Sequence, residues 1–332
     1  MLLAVQLLKY PGLQSGYYLP NPVPEDLLLP FRDFVTKHGI QDAVPLMMNF
    51  QAIGDVLNTP TLYILQNFGL QQLATLATGG YLRAANHTNS EIYQKSATLL
   101  GSSVLYNSTM TQAERQDNGI QKIIVQTPTG KKLIKAKKLL ITIPPTLDKL
   151  KPLGLDATEN TIFKQWQYTT YYCGIVRDGI PANISITNTA ANSTLHIPSA
   201  PFIANFRYSG IPDLHTFHSV SNSSQTPEQV EAFIKSTIQT MQDAGTLPTS
   251  APTIEALKNH TPTILRVSAD AIKNGFYSDL NALQGQHGTF WTGAAWAPDD
   301  SALLWAFTEG ILTRLVEALG EVNVEALSVT VL

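Results

Sequence analysis

Charge is scarce in this chain. Only 14% of its 332 residues are Asp, Glu, Lys or Arg, against ~25% in an ordinary globular domain, so the surface must rest largely on Ser, Thr, Asn and Gln. The net charge is −3 and the pI about 6.2. That balance argues against nucleic acid or an anionic membrane as partner. The one basic cluster, Lys131 to Lys138, reads as the solvated face of a hairpin. Cysteine is nearly absent. Cys173 stands alone, which rules out a disulfide framework, a cysteine zinc site and an iron–sulfur cluster. Within YYCGIV it reads as a buried small hydrophobe. Long apolar runs are missing as well: none approaches the ~18 residues of a membrane-spanning helix. The opening MLLAVQLLKYPG has no basic n-region and no small-residue cleavage site,. There is no G-x-S-x-G of a serine hydrolase and no G-x-G of any kind. His215 and His218 are three apart on an expected strand and face opposite sides, so no metal site is expected there.

What is present suffices for a packed protein. Hydrophobic residues make up 44%, and the length fits one large domain or two ordinary ones. Six N-x-S/T sequons occur, at Asn86, Asn107, Asn183, Asn192, Asn222 and Asn259, where composition predicts about three. The excess points to a glycoprotein or a secretory ancestor, although the chain shows no signal peptide.

The first 30 residues are rich in Pro and Leu and read as turn-rich extended chain. Short helices follow to residue 80. One carries Phe31, Phe34 and Val35 on a single face and stops at Gly39. A helix from Ser90, with Ile92, Leu99 and Leu100 apolar, closes at Gly101. Val104 to Thr111, Ile120 to Thr127 and Lys131 to Lys138 read as strands of a meander. Leu139 to Ile143, LLITI, reads as a strand buried on both faces and ended by Pro144-Pro145. Strands are expected at Tyr168 to Val176, Ile184 to Thr187, Phe202 to Tyr208 and His215 to Val220. Thr226-Pro-Glu-Gln229 is a capping box. It opens a helix with Val230, Phe233, Ile234, Ile238 and Met241 on one face, ending at Gly245. A short helix is expected near Ile254 to Lys258.

The richest segment is GTFWTGAAWAPDDSALLWAFTEGILTRLVEAL, from Gly288 to Leu319. A short apolar strand enters a Gly-Ala-Ala turn, then an acidic loop with N-capping residues at Asp299, Asp300 and Ser301. Next comes a helix with Leu304, Phe307, Ile311, Leu315 and Leu319 apolar. Small residues let a flat ligand approach the backbone. Amides of the first helical turn, near Leu303 and Leu304, then face an anionic group.

Together with KKLLITIPPTLDKL, the opening YPGLQSGYYLPNPVPEDLL and FYSDLNALQGQHGTFWTGAAWAPDDSALLW, this order resembles the flavin-containing amine oxidase superfamily. Within it the chain is most similar to fungal FAD-dependent oxidoreductases of the β-cyclopiazonate dehydrogenase type. The resemblance covers essentially the whole chain. It implies an α/β (α+β) fold: an incomplete FAD/NAD(P)-binding Rossmann-like domain with an inserted antiparallel-sheet substrate domain. The expected segments are a helical cap region (1–80), an FAD-binding part (81–150), a substrate domain (151–285) and the FAD-binding strand-turn-helix (286–332). FAD is the implied cofactor, and hydride transfer from a small-molecule C–H, in an amine or related secondary metabolite, the implied reaction. Gly293, Ala294 and Ala295 would lie along the flavin. Leu303, Leu304 and Trp305 would supply the helix start beside it, and Met110 would meet the adenine side. Thr142 and Ile143 would lie near the same end. Tyr172 aligns with the position where some relatives place a lysine near the flavin, which makes it the catalytic candidate. The aromatics Tyr168, Tyr171, Tyr172, Phe206, Tyr208 and Phe217 line either a pocket or the core of the inserted sheet.

The family's opening strand and G-x-G-x-x-G helix are not found, which suggests an N-terminally truncated chain. One rival reading is therefore a non-catalytic remnant that binds no FAD alone; another, resting only on the sequons, is a secreted binding module. An oligomer, or a separate N-terminal segment as partner, would cover the sheet edge left open.

Overall fold

The computed structural model describes residues 2–48, 53–80, 82, 84–86, 88–193, 195–320 and 329–331. His87 and Thr194, the middle and last residues of the Asn86 and Asn192 sequons, lie outside them, as does 321–328 of the last expected segment. The chain forms two compact units, each assembled from separate stretches. The first comprises Met1–Tyr10, Pro20–Phe68 and Trp166–Asn274; the second comprises Pro11–Leu19, Gly69–Gln165 and Gly275–Leu332. The sequence reading divides the chain after 80, 150 and 285, whereas the main divisions fall after 68, 165 and 274.

In order, the strands are β1 (Thr109–Glu114), β2 (Gln121–Thr127), β3 (Gly130–Ala136), β4 (Leu139–Ile141), β5 (Gln167–Arg177), β6 (Ile186–Thr187), β7 (Phe202–Tyr208), β8 (Leu214–Ser221), β9 (Thr253–Asn259), β10 (Thr263–Arg266), β11 (Thr289–Trp291) and β12 (Val329–Val331).

The first unit is built on a six-stranded sheet ordered β10-β5-β8-β7-β6, with β9 also paired to β5. Every pairing in it is antiparallel. Its inner face presents Tyr172, Val176, Ile203, Phe206 and Phe217 to Val230, Ile234 and Ile238 of helix Pro227–Asp243. Each such buried side chain contributes about 1.5–3 kcal/mol. The helix starts as the capping box dictates. Thr226 Oγ1 accepts the Gln229 amide at 3.3 Å, and Gln229 Oε1 accepts the Thr226 amide at 2.9 Å. In helix Phe31–His38, Phe31, Phe34 and Val35 are fully buried, and Gly39 ends the helix at φ 62°.

Period-two alternation sends the neighbours of Tyr172 to the other face. Cys173 is accordingly half-exposed rather than buried as the sequence suggested,. The expected helix at Ile254 to Lys258 is instead strand β9. It pairs with Tyr172 to Arg177 of β5, and Leu257 packs against the core. The unpaired edge of β5 outweighs local helix propensity.

The second unit holds the sheet β1-β2-β3-β12 and a parallel pair, β4 with β11. The LLITI strand is shorter and less covered than expected. Only Ile141 is buried, and Ile143 is 42% exposed. The physical reason is that β4 has β11 as its one ladder partner among the described residues. Helix Ser90–Leu100 forms where expected but buries no residue, with Ile92, Tyr93, Leu99 and Leu100 open to solvent.

A buried staple holds this unit together. Arg115 forks onto Glu159 at 2.6 and 2.7 Å and also donates to the carbonyls of Leu153 and Gly154 and to Thr289 Oγ1. All five of its donors are used. Among the described residues no helix is long and apolar enough to cross a membrane.

Candidate functional site

β4 and β11 run side by side, with Leu139, Leu140 and Ile141 opposite Thr289, Phe290 and Trp291. The Thr292 amide extends the ladder to Ile141 O at 3.0 Å. Both strands therefore release their chains at the same end, Thr142-Ile143 from one and Gly293-Ala294-Ala295 from the other. The space outside the carboxyl ends of parallel strands is where open α/β sheets take ligands. The far edge of β11 is closed by a side chain. Gln284 donates to Trp291 O at 2.7 Å and accepts the Trp291 amide at 2.9 Å.

The turn itself is firmly held. Gly293 sits at φ 121°, a conformation that L side chains rarely adopt, and a Cβ there would lie 3.4 Å from Thr142 O,. The Trp296 amide closes the turn on Gly293 O at 2.9 Å, and Trp296 O accepts the Tyr17 amide at 3.3 Å. Tyr17 stacks on Tyr277 with centroids 3.9 Å apart. Trp291 and Trp296 stack at 5.8 Å and 19°. Both indole N–H groups are buried with no acceptor among the described residues. Ala295 is buried, Gly293 and Ala294 are half-buried, and Thr142 is exposed. The result is a small-residue shelf with an open side, backed by two indoles.

At the helix start, Asp300 is the one of the three expected capping residues that caps. Asp300 Oδ1 accepts the amides of Ala302 and Leu303 at 3.0 and 3.1 Å, and Asp300 O accepts that of Leu304 at 2.8 Å. The Leu303 amide is thus already used by the capping carboxylate, and that of Leu304 by the Asp300 carbonyl. Trp305 is exposed. Thr292 and Thr308 share a hydroxyl hydrogen bond at 2.7 Å, which ties the strand end to this helix. Met110 lies on β1, opposite Val125 in the antiparallel meander, and is half-buried.

Tyr172 belongs to the core of the first unit. It is 2% exposed, and its hydroxyl donates to Gln225 O at 2.9 Å. The opposite sheet face carries Tyr171 and His218, with ring centroids 5.7 Å apart. Burial, then Arg207 and His260, pull the His218 pKa below its ordinary value, so this imidazole is neutral near pH 7. His215, as expected, faces the other way: it is fully buried and bonds Ile184 O at 3.0 Å.

Asp156, Glu159 and His287 bring ligand-type atoms within 4.8 Å of one another. Those atoms are spoken for. Both Glu159 oxygens accept from Arg115, Asp156 Oδ1 accepts the Glu159 amide, and Asp156 Oδ2 meets His287 Nε2 at 2.9 Å. A guanidinium already supplies the positive charge that a cation would bring.

No family model matches the chain. Curated relatives do. The FAD-dependent oxidoreductase oblC of Cochliobolus heterostrophus is 40% identical over 330 residues, covering 95% of this chain and 68% of its own length. Beta-cyclopiazonate dehydrogenase of Aspergillus oryzae is 36% identical over 308 residues, covering 92% and 67%.

This chain belongs to the fungal FAD-dependent oxidoreductases.

The crystal structure of a CLA-producing fatty acid isomerase from P. acnes superposes with a TM-score of 0.74 at 21% identity, over 94% of this chain and 73% of that one, which establishes the shared fold. FAD is the family's cofactor. The shelf at the ends of β4 and β11 fits a flat ring, because Gly293 offers backbone without a side chain and the two unspent indole donors stand beside it. The helix start fits an added anion less well, since Asp300 has taken its amides.

Sequence reasoning missed Arg266, a buried arginine in the first unit. The signal for Arg266 was present. It is the lone charge in the apolar run TILRV, where an unpaired cation needs an explanation.

Proposed function

We propose that this chain carries the flavin-ring and substrate-bearing parts of an oxidoreductase that moves a hydride from a substrate C–H to FAD. The substrate is an amine or a related secondary metabolite. The observation that carries the reading is the small-residue shelf where two parallel strands end together. Bound FAD supplies the two-electron acceptor. The residues of the chain supply place and environment. Gly293, Ala294 and Ala295 leave room for the ring face, and Thr142 and Ile143 bound its edge from the neighbouring strand. Leu303, Leu304 and Trp305 wall the helix side, with Asp300 holding the first turn in shape. Met110 serves the adenine side from the meander.

Tyr172 receives no proton-transfer role in this proposal. Its hydroxyl is committed to Gln225 O inside the core. The open face with Tyr171 and the neutral His218 is better suited to meet substrate.

A second reading, in which these residues do not retain FAD by themselves, is favoured by the lack of any G-x-G loop to bring pyrophosphate onto a helix N-terminus. Anaerobic mixing of FAD-loaded protein with amine and non-amine secondary metabolites tests the proposal. Bleaching of the flavin bands by a substrate, with recovery on admitting O2, is the expected result. FAD that stays bound yet is reduced by none of them counts against hydride transfer in this chain.

A further inference from the structure

Arg266 closes β10 opposite Gln167 of β5. It is only 9% exposed. Its guanidinium makes two hydrogen bonds, both through Nη1, to Thr169 Oγ1 at 3.0 Å and Ile264 O at 3.3 Å. Thr169 Oγ1 also receives the Gly54 amide at 3.4 Å, so donors converge here from two sides. Among the described residues no carboxylate lies within 4.0 Å of this guanidinium. Tyr63 and Asp55 favour the charged form from nearby without overcoming the burial, and neither is bonded to the guanidinium. Both Asp55 oxygens accept from Asn58 Nδ2 at 3.0 and 2.9 Å. The Tyr63 hydroxyl accepts the Val267 amide at 2.7 Å. Burial pulls the Arg266 pKa down, as expected for a cation with too little compensation. An arginine nonetheless remains charged.

The local backbone is shaped to hold this arrangement. Ile264 has φ 48°, a genuine outlier for a β-branched residue, and its carbonyl is one of the two acceptors of Arg266. Strained positions of this kind persist where surrounding structure enforces them and are concentrated at ligand sites. Arg266 Nε and Nη2 have no bond to the described residues and present a planar fork, the geometry that carboxylates match with two parallel bonds,.

We propose that Arg266 is an anion-binding site of the first unit, which takes a small carboxylate through its Nε and Nη2 donors.

The test uses the purified chain with small anions that fit any cavity. Thermal midpoints are measured in formate, in formamide and in chloride, at matched ionic strength, while retention of added FAD after desalting is recorded in parallel. Formate raises the midpoint above chloride and formamide in the wild type, because a ligand that binds only the folded state stabilises it. Arg266→Met abolishes that difference, keeps FAD as the wild type does, and melts no earlier than the wild type. Arg266→Lys retains the charge but loses the fork, and shows a reduced formate effect. Three results overturn the proposal: a formate effect unchanged in Arg266→Met, no formate effect in the wild type, or a loss of FAD in Arg266→Met, which would place the anion on the cofactor. A colourless wild type that still responds to formate through Arg266 would instead remove the flavin reading and leave the anion site standing.

Discussion

Two buried arginines, one in each unit, are handled in opposite ways. Arg115 has every donor occupied, with a bidentate carboxylate at its centre. Arg266 uses one nitrogen of three and has no carboxylate beside it among the described residues. Burying a charge is costly unless it is paired and hydrogen-bonded. Arg115 therefore reads as part of the scaffold. Arg266 reads as a group whose partner arrives from outside the chain. The chemistry of the side chain is the same in both places, and the unspent donors make the difference.

That contrast can be broken experimentally, and the largest effect is expected at the staple. Glu159→Gln leaves Arg115 buried without its counter-charge and should cost about 3–5 kcal/mol, measured by urea unfolding. The corresponding change on the other side, Arg266→Met, should cost nothing, since no counter-ion among the described residues is bonded to the charge it removes. Equal losses at the two sites would erase the distinction. A smaller effect is expected at Asp300. Removing the cap with Asp300→Ala should cost about 1 kcal/mol, visible as an earlier thermal midpoint. It also frees the amides of Ala302 and Leu303, so retention of FAD should be kept or improved if the carboxylate only shapes the helix.

The smallest effect concerns pH. The amide of Glu159, opposed by partial burial and helped by His287, holds the Asp156 carboxyl below its ordinary range. The sign follows directly. A depressed folded-state pKa stabilises above the unfolded pKa, and the contribution fades as pH falls through the folded value. Acid titration of stability should therefore show a loss on the acid side of the ordinary carboxylate range. Asp156→Asn should flatten that part of the curve.

Local signals in the sequence agree with the structure where the physics is local. The Thr226-Gln229 capping box, the Phe31-Phe34-Val35 face with its Gly39 stop, and the bounds of Phe202–Tyr208 need only neighbouring residues. Errors arose where distant chain decides. Ile254 to Lys258 becomes a strand because β5 offers an edge. LLITI is less covered than its composition implies because β4 has β11 as its one ladder partner among the described residues. Cys173 turns outward because Tyr172 turns in.

The proposed site was partly legible for the same reason. Gly293 and the alanines announce a close approach, and the parallel pairing that brings Thr142 beside them follows from the order of elements. The use of the helix amides by Asp300 could not be separated from their use by a ligand, because the sequence shows that a cap exists but not what it contacts. Arg266 was visible as a misplaced charge but carried no motif.

The most direct test of the central claim is an absorption spectrum of the purified chain after incubation with FAD and desalting, taken beside Gly293→Val. The account predicts flavin bands that stay with the wild-type protein and are lost when a branched side chain is forced onto the shelf at φ 121°. A colourless wild type, or equal retention by Gly293→Val, would contradict it.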